Sequence, residues 1–265
     1  MSAGGDLARR IAETYRWHRR LGARVIETPY CHVLADPAHS DVWDSNHVDE
    51  VTARTAEEVE AVFAAMSAHL AHASCHVAHT DGFTPDLFLA RLAFEDFKER
   101  FVAIQMALDP SINPPLSPCD LRPVESDEAW RTLAALVRIN HEEGHVTGGL
   151  VLPPAFTEQV VSGYRAKAPQ CRFHLVFADG EAIAYGASAA APNGVGMIED
   201  LFTHPGRRRR GVASAVIAAF AEDLRQRGCD AVFLGALAGE QAKRLFFKLG
   251  FRPVAVARCW VKASA

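Results

Sequence analysis

The densest concentration of chemistry in this sequence is a turn. It reads His204-Pro205-Gly206-Arg207-Arg208-Arg209-Arg210-Gly211-Val212-Ala213-Ser214 and comes after the strand-like run Met197 to Thr203. Beyond it, Ala213, Val216, Ile217, Phe220 and Leu224 recur at i, i+3, i+4, i+7 and i+11, so they share one helix face. Arg227-Gly228 supplies a cation and then a glycine to close that helix. A helix entered from such a turn leaves the N–H groups of its first turn without intrahelical partners, at the positive end of its dipole. That is an anion site. Gly211 and Ala213 let a bulky anion approach the backbone, and well-placed arginines add charge-assisted bonds of about 1.5–3 kcal/mol each. Pyrophosphate suits this chemistry; the alternatives are a solvated surface turn or a nucleic-acid patch.

The residues C-terminal to the turn favour the nucleotide reading. Ala231 to Gly235 reads as a buried strand, and Glu240 to Leu249 as a helix ended by Gly250. Arg208-x-x-Gly211-x-Ala213, with His204-Pro205 before it, resembles the acetyl-CoA loop of the GNAT acyltransferase superfamily. Ala242 to Phe251, with Leu245, Phe246, Gly250 and Phe251 in register, resembles the next segment of the same superfamily. The resemblance implies an α+β fold built on a mixed sheet, with acetyl-CoA as co-substrate. Arg208, Arg209, Arg210, Gly211, Val212, Ala213 and Ser214 would hold its pyrophosphate. The backbone of Leu201, Phe202 and Thr203 would meet the pantetheine amides, and Phe246 would lie beside the cofactor.

An acetyl-CoA enzyme of this kind acts on an amine. An alkylamine with a pKa near about 10.4 must lose a proton before it attacks, at a cost of about 4–5 kcal/mol at pH 7. Glu199 and Asp200, just before the turn, are the candidate bases, and strand alternation predicts that only one of them faces the acceptor. The resemblance favours Glu199, with Asp200 as the alternative. Phe246 stands where many relatives carry a tyrosine as general acid, and Gly239 where an asparagine often helps to hold the cofactor. Either another group substitutes, or the thiolate, whose thiol pKa is near about 8.5, leaves unaided. His141, Glu142 and His145, in the loop 141–149, are candidates for binding a cationic substrate; exposed charges in a glycine-rich loop are the plainer reading.

The 265-residue chain is 49% hydrophobic with a net charge of −4, so the arginine cluster is local and nucleic acid is not expected as a partner. No apolar run has signal-peptide or membrane length, which predicts a cytoplasmic protein without a membrane partner. Six cysteines, with no C-x-x-C pair, read as reduced thiols. His69, His72, His76 and His79, with Cys75, have ligand-like spacing, but a helix-to-strand break at 73–75 scatters them, and no metal is expected.

The first half carries a weak echo of the second. A helix over 6–20 precedes extended runs at 24–35 and 41–48. A helix then opens with the capping box Thr55/Glu58, and Val59, Val62, Phe63, Met66 and Leu70 share its face. A strand at 75–78, a helix opened by Thr84-Pro85 and a strand at 101–108 complete an order that matches 195–262. The segment 51–57 lacks the glycine turn, so no phosphate cradle is expected there. Four prolines between Asp109 and Pro118 mark a linker.

The expected architecture is therefore a degenerate GNAT-like α/β lobe over 1–109, a Pro-rich linker over 110–118 and a catalytic GNAT domain over 119–265. After the linker the sequence predicts a strand at 119–124, helices at 127–140 and 154–166, and a β-hairpin turning at Asp179-Gly180. The expected function is acetyl transfer to a primary amine of an acceptor that the sequence does not identify, by direct attack in a ternary complex, with a small amine as the expected partner and the protein a monomer or homodimer. A non-catalytic acyl-CoA-binding or regulatory module is the alternative.

Overall fold

The computed structural model describes residues 3–143 and 151–263. In chain order the elements are α1 (Ala3–Arg20), β1 (Val25–Glu27), β2 (His32–Leu34), β3 (His47–Asp49), α2 (Ala56–His69), β4 (Cys75–Thr80), α3 (Asp86–Phe94) and β5 (Lys98–Leu108). Next come β6 (Asp120–Pro123), α4 (Asp127–Glu142), α5 (Pro154–Lys167), β7 (Cys171–Ala178), β8 (Glu181–Ala190), β9 (Val195–Thr203), α6 (Val212–Gln226), β10 (Ala231–Leu237), α7 (Ala242–Lys248) and β11 (Phe251–Ala263). The architecture is the mixed α+β one that the sequence predicts. The order β3-α2-β4-α3-β5 repeats as β9-α6-β10-α7-β11.

One stretch departs from expectation. The extended run expected at 41–48 shrinks to β3, because Trp43–Ser45 turns as a 3₁₀ helix. Asn46 causes this: its amide donates to the carbonyls of His39 and Val42, and its oxygen accepts from the Asp36 N–H. A side chain that satisfies nearby backbone groups removes the need for a strand partner.

The described residues form two compact units. The first falls within Met1–Gln105, Ala236–Glu240 and Pro253–Ala265, the second within Met106–Gly235 and Gln241–Arg252. Neither is contiguous in sequence, unlike the lobes 1–109 and 119–265 read from composition.

In the first unit, β1 and β2 form an antiparallel hairpin and β3 pairs antiparallel with β2. β4 lies parallel to β3 at Val48↔Ala78. The far edge of β4 is taken by the last strand of the chain, antiparallel from Arg258↔Thr80 to Ala263↔Cys75. Val59, Val62 and Met66 of α2 and the adjoining Leu70 are buried against Val33, Val48, Phe88 and Leu92. The apolar period of α2 is satisfied there.

In the second unit, β6, β7, β8 and β9 pair antiparallel in sequence, and β10 pairs parallel with β9. Helices cover both faces. On one side Phe173 of β7 meets Trp130 of α4 and Tyr164 of α5. On the other, His174 meets Phe220 of α6. Val216, Ile217, Phe220 and Leu224 of α6 are buried, as their spacing predicts. The proline segment packs back on this unit: Arg225 of α6 donates to the Ile112 carbonyl at 3.0 Å and to Asn113.

Candidate active site

The site is built where β9 stops behaving as a regular strand. Its parallel ladder with β10 runs from Val195↔Ala231 to Ile198↔Leu234, whereas its antiparallel ladder with β8 continues to Thr203↔Ala184. Beyond Ile198 the β10-facing edge of β9 therefore leaves the ladder. At the same point the β8 ladder shifts register between Tyr185 and Ala187, and Asp200 takes φ = 54°. This is a β-bulge, one extra residue in β9.

The bulge decides where the carboxylates go. A Cβ at Gly196 would meet Leu224 of α6, so Gly196 faces α6. A Cβ at Gly186 would meet Leu201 and Phe220 together, so Leu201 faces α6 as well. Strict alternation would put residues five apart on opposite faces. The extra residue restores Leu201 to the α6 face and leaves Glu199 and Asp200 together on the α4/α5 face. The expectation that the two point to opposite faces is thus corrected, because alternation fails at a bulge.

Asp200 accepts a hydrogen bond from the Tyr164 hydroxyl at 2.7 Å. Burial, Asp200 and other neighbours including Glu199 push that hydroxyl well above the ordinary phenol range. Burial, then Asp200 and with a smaller part Glu199, pushes the Cys171 thiol up to about 12. Two groups that both feel both carboxylates agree with the shared face. Next to them Tyr185 accepts from Asn140 Nδ2 at 3.1 Å and stacks on Phe202 with ring centroids 5.3 Å apart. Burial and Asp200 raise the Tyr185 hydroxyl too. Tyr164, Tyr185, Asn140 and Cys171 were not singled out from sequence, since a tyrosine within an apolar helix or strand pattern reads as core.

After β9 the chain turns through Pro205–Arg207 as a 3₁₀ helix and enters α6. Arg209 and Gly211 have φ of 63° and 82°. Gly211 is the N-cap of α6 in the left-handed region, without a side-chain cap hydrogen bond, and a Cβ there would meet nothing within 4 Å. Space is therefore open beside Gly211, and Val212, Ala213 and Ser214 after it are half-buried. The corresponding end of α2 is sealed: Thr55 Oγ1 accepts from the Glu58 N–H, and Glu58 accepts from the N–H groups of Arg54 and Thr55. One helix start has no side-chain cap for its first N–H groups, and the other has a capping box.

The arginines divide the work. Arg207 pairs with Asp179 and Glu181 at the β7–β8 turn. Arg208 donates to the Thr203 carbonyl at 2.9 Å, pairs with Glu143 and lies over the Phe202 ring. It ties the end of β9 to the end of α4. Arg209 and Arg210 are exposed beside the start of α6.

The remaining sequence candidates take varied places. His141 Nδ1 is 2.8 Å from Thr157 Oγ1, and burial and Arg138 push the ring below the usual histidine range. Glu142 is exposed and pairs with Arg138. His145 and the rest of 144–150 lie outside the described residues. Phe246 is buried, 6.5 Å between centroids from Phe251. In the first unit His72 bonds Asn46 and His79 lies 3.4 Å from Asp44. Among the described residues no group of three or more His, Cys, Asp or Glu side chains could hold a metal ion, and no helix is long and apolar enough to cross a membrane.

Comparison with known proteins bears mainly on the second unit. The model of the acetyltransferase (GNAT) family matches residues 133–251, from within α4 to the start of β11. This segment is a GNAT-family domain. Solved structures extend the likeness over nearly the whole chain. A GCN5-related N-acetyltransferase from Kribbella flavida is 18% identical, with a TM-score of 0.72 over 97% of this chain and 96% of its own. A functionally unknown conserved protein from Staphylococcus epidermidis is 12% identical, with a TM-score of 0.69 over 92% and 96%. A tandem GNAT protein from the clavulanic acid biosynthesis pathway is 13% identical, with a TM-score of 0.61 over 91% and 82%. At such identities the likeness is one of fold, and it extends beyond the GNAT segment into the first half of the chain. No curated protein matches the sequence.

Proposed function

We propose that the chain is an acetyl-CoA-dependent N-acetyltransferase that acetylates a primary amine of a small acceptor by direct attack in a ternary complex. The observation that carries the reading is the conjunction on β9 and α6. A strand whose edge leaves its ladder after Ile198 runs into a helix that starts on an uncapped left-handed glycine. The open space before Gly211 fits a bulky anion, and the residues there suit a pyrophosphate.

The N–H groups of Val212, Ala213 and Ser214, with Arg209 and Arg210, bind that pyrophosphate. The backbone of Leu201, Phe202 and Thr203 holds the pantetheine amides. Acetyl-CoA supplies the activated acetyl thioester. Arg208, engaged with Thr203 and Glu143, acts by holding the cradle in place.

Glu199 takes the proton from the acceptor ammonium, directly or through a water, and Asp200 is the alternative base. The Tyr164 hydrogen bond supports Glu199, because it commits Asp200 to a structural partner. His141 and Glu142 serve the acceptor side. The first unit is a degenerate lobe with a sealed helix start, and the protein works without a metal, in the cytoplasm, as monomer or homodimer.

A second reading, a non-catalytic acyl-CoA-binding module, is favoured by Phe246. It lies buried in the sequence position of the family's general acid and has no proton to give. The test is calorimetric titration of acetyl-CoA into wild type and an Arg210→Ala, Gly211→Glu double mutant, followed by thiol release with a panel of primary amines. Micromolar binding lost in the mutant, with amine-dependent thiol release, supports the enzyme. Binding without release with any amine supports the module. No wild-type binding overturns both.

A further inference from the structure

The first unit contains a cavity of about 330 Å³ formed by α1, the end of β4, Gln105 and residues 254–257. Four of its polar side chains are deeply buried with atoms that make no hydrogen bond within the protein: Asp49 through Oδ2, His79 through Nε2, and Arg19 and Gln105, which offer the free donors. Arg19 is 5% exposed, and its Nε and Nη1 have none. Gln105 is 2% exposed, and neither its amide nitrogen nor its oxygen has one. The other cations near the cavity are paired. Arg20 bonds Asp49 at 2.6 Å and Glu50 at 2.8 Å, and Arg16 pairs with Asp81 and Glu50. Arg19 approaches Asp49 only to 3.7 Å, since Asp49 turns its other oxygen to Arg20. The remaining face of its guanidinium lies over the Tyr15 ring.

A guanidinium cannot shed its charge, and burying its donors unbonded is costly. The amide of Gln105 adds a donor and an acceptor, and Ala8, Ala12, Phe83, Val254 and Ala257 supply apolar wall. At the roughly 30 Å³ that a water occupies in the liquid, the space suits about ten non-hydrogen atoms, far fewer than coenzyme A has. We propose that this cavity is a second small-molecule site, which binds a compact carboxylic acid: the carboxylate meets Arg19, and a further polar group meets Gln105. The site is distinct from the acyl-CoA cradle and does not depend on its assignment, because every residue lining it belongs to the first unit.

The test uses the full chain and sodium acetate, malonate and succinate as probes, against sodium chloride at matched ionic strength. Calorimetry should find at least one carboxylate binding with one-to-one stoichiometry. Arg19→Met and Gln105→Leu should each weaken it at least tenfold, while acetyl-CoA affinity stays within twofold. Gln105→Leu should also raise the melting temperature of the ligand-free protein, because it removes an unbonded buried amide; this variant carries the test if Arg19→Met does not fold. Failure of all three probes to exceed chloride, or binding that survives both substitutions, would overturn the proposal.

Discussion

Glu199 and Asp200 share one face of β9 through a single added residue, and their roles separate by partner. Glu199→Gln should lower kcat by about 10²–10⁴, the span of general base catalysis, with little change in the KM for acetyl-CoA. Asp200→Asn should act mainly through position. Tyr164→Phe tests that division: it removes a hydrogen bond to a carboxylate and should cost about 1.5–3 kcal/mol of stability by denaturant titration. A large loss of kcat in Asp200→Asn with a near-normal Glu199→Gln would exchange their roles.

His79 offers a pH prediction at the same scale. Burial, with Arg19 and His47, lowers its pKa to about 3, against the opposing effect of Asp44. A folded pKa below the unfolded one means that the native state binds fewer protons below neutrality, so stability rises with pH. Its contribution is complete above about pH 6.5 and is lost as pH falls toward 3, at up to about 1.4 kcal/mol per unit. A His79→Asn variant should show a flatter decline of stability between those limits than wild type; an unchanged slope would exclude His79 as the source.

Among the elements, the contrast between the starts of α2 and α6 is one of stability against function. Thr55→Ala should cost about 1 kcal/mol, the usual value of a lost N-cap, and leave acetyl-CoA binding intact. Gly211→Ala has room for its Cβ but places an L side chain at φ = 82°, so the start of α6 should distort and the KM for acetyl-CoA rise. The β9–α6 contact is tighter. An added Cβ at Gly196 would stand 2.9 Å from Leu224, so Gly196→Ala should destabilise by about 1–3 kcal/mol through overpacking. Thermal unfolding of the three variants ranks these effects.

For the molecule as a whole, the chain's last strand is the consequential feature. Although β11 comes after the GNAT segment, its residues from Pro253 on belong to the first unit, where it pairs with β4 and Trp260 donates to Thr80 at 3.0 Å. Removing 253–265 should therefore expose the far edge of β4 and open the first unit before the second. Hydrogen exchange would detect this as lost protection across 75–80, with α6 still protected; uniform loss across the chain would instead mean that the two units unfold together.

Much of this was legible in the sequence because it is local. The helical period of Val59 to Leu70 and of Val216 to Leu224, the capping box at Thr55, the glycine turn at Gly211 and the repeated element order all depend on residues within a few positions of one another. Short-range sterics and hydrogen bonding were enough to specify them. The tertiary structure alone decided whatever depends on distant partners. The bulge that joins Glu199 to Asp200 exists in register with Tyr185 of the neighbouring strand, and Tyr164 reaches Asp200 from thirty-six residues away. Arg208 reads as a phosphate ligand by its neighbours in sequence, and only the fold brings Glu143, sixty-five residues earlier, to its guanidinium. The place of β11 beside β4 is the largest such decision. An apolar strand carries its own propensity but not the identity of the edge that completes its hydrogen bonds, and that choice is made by whichever edge the folded chain leaves open.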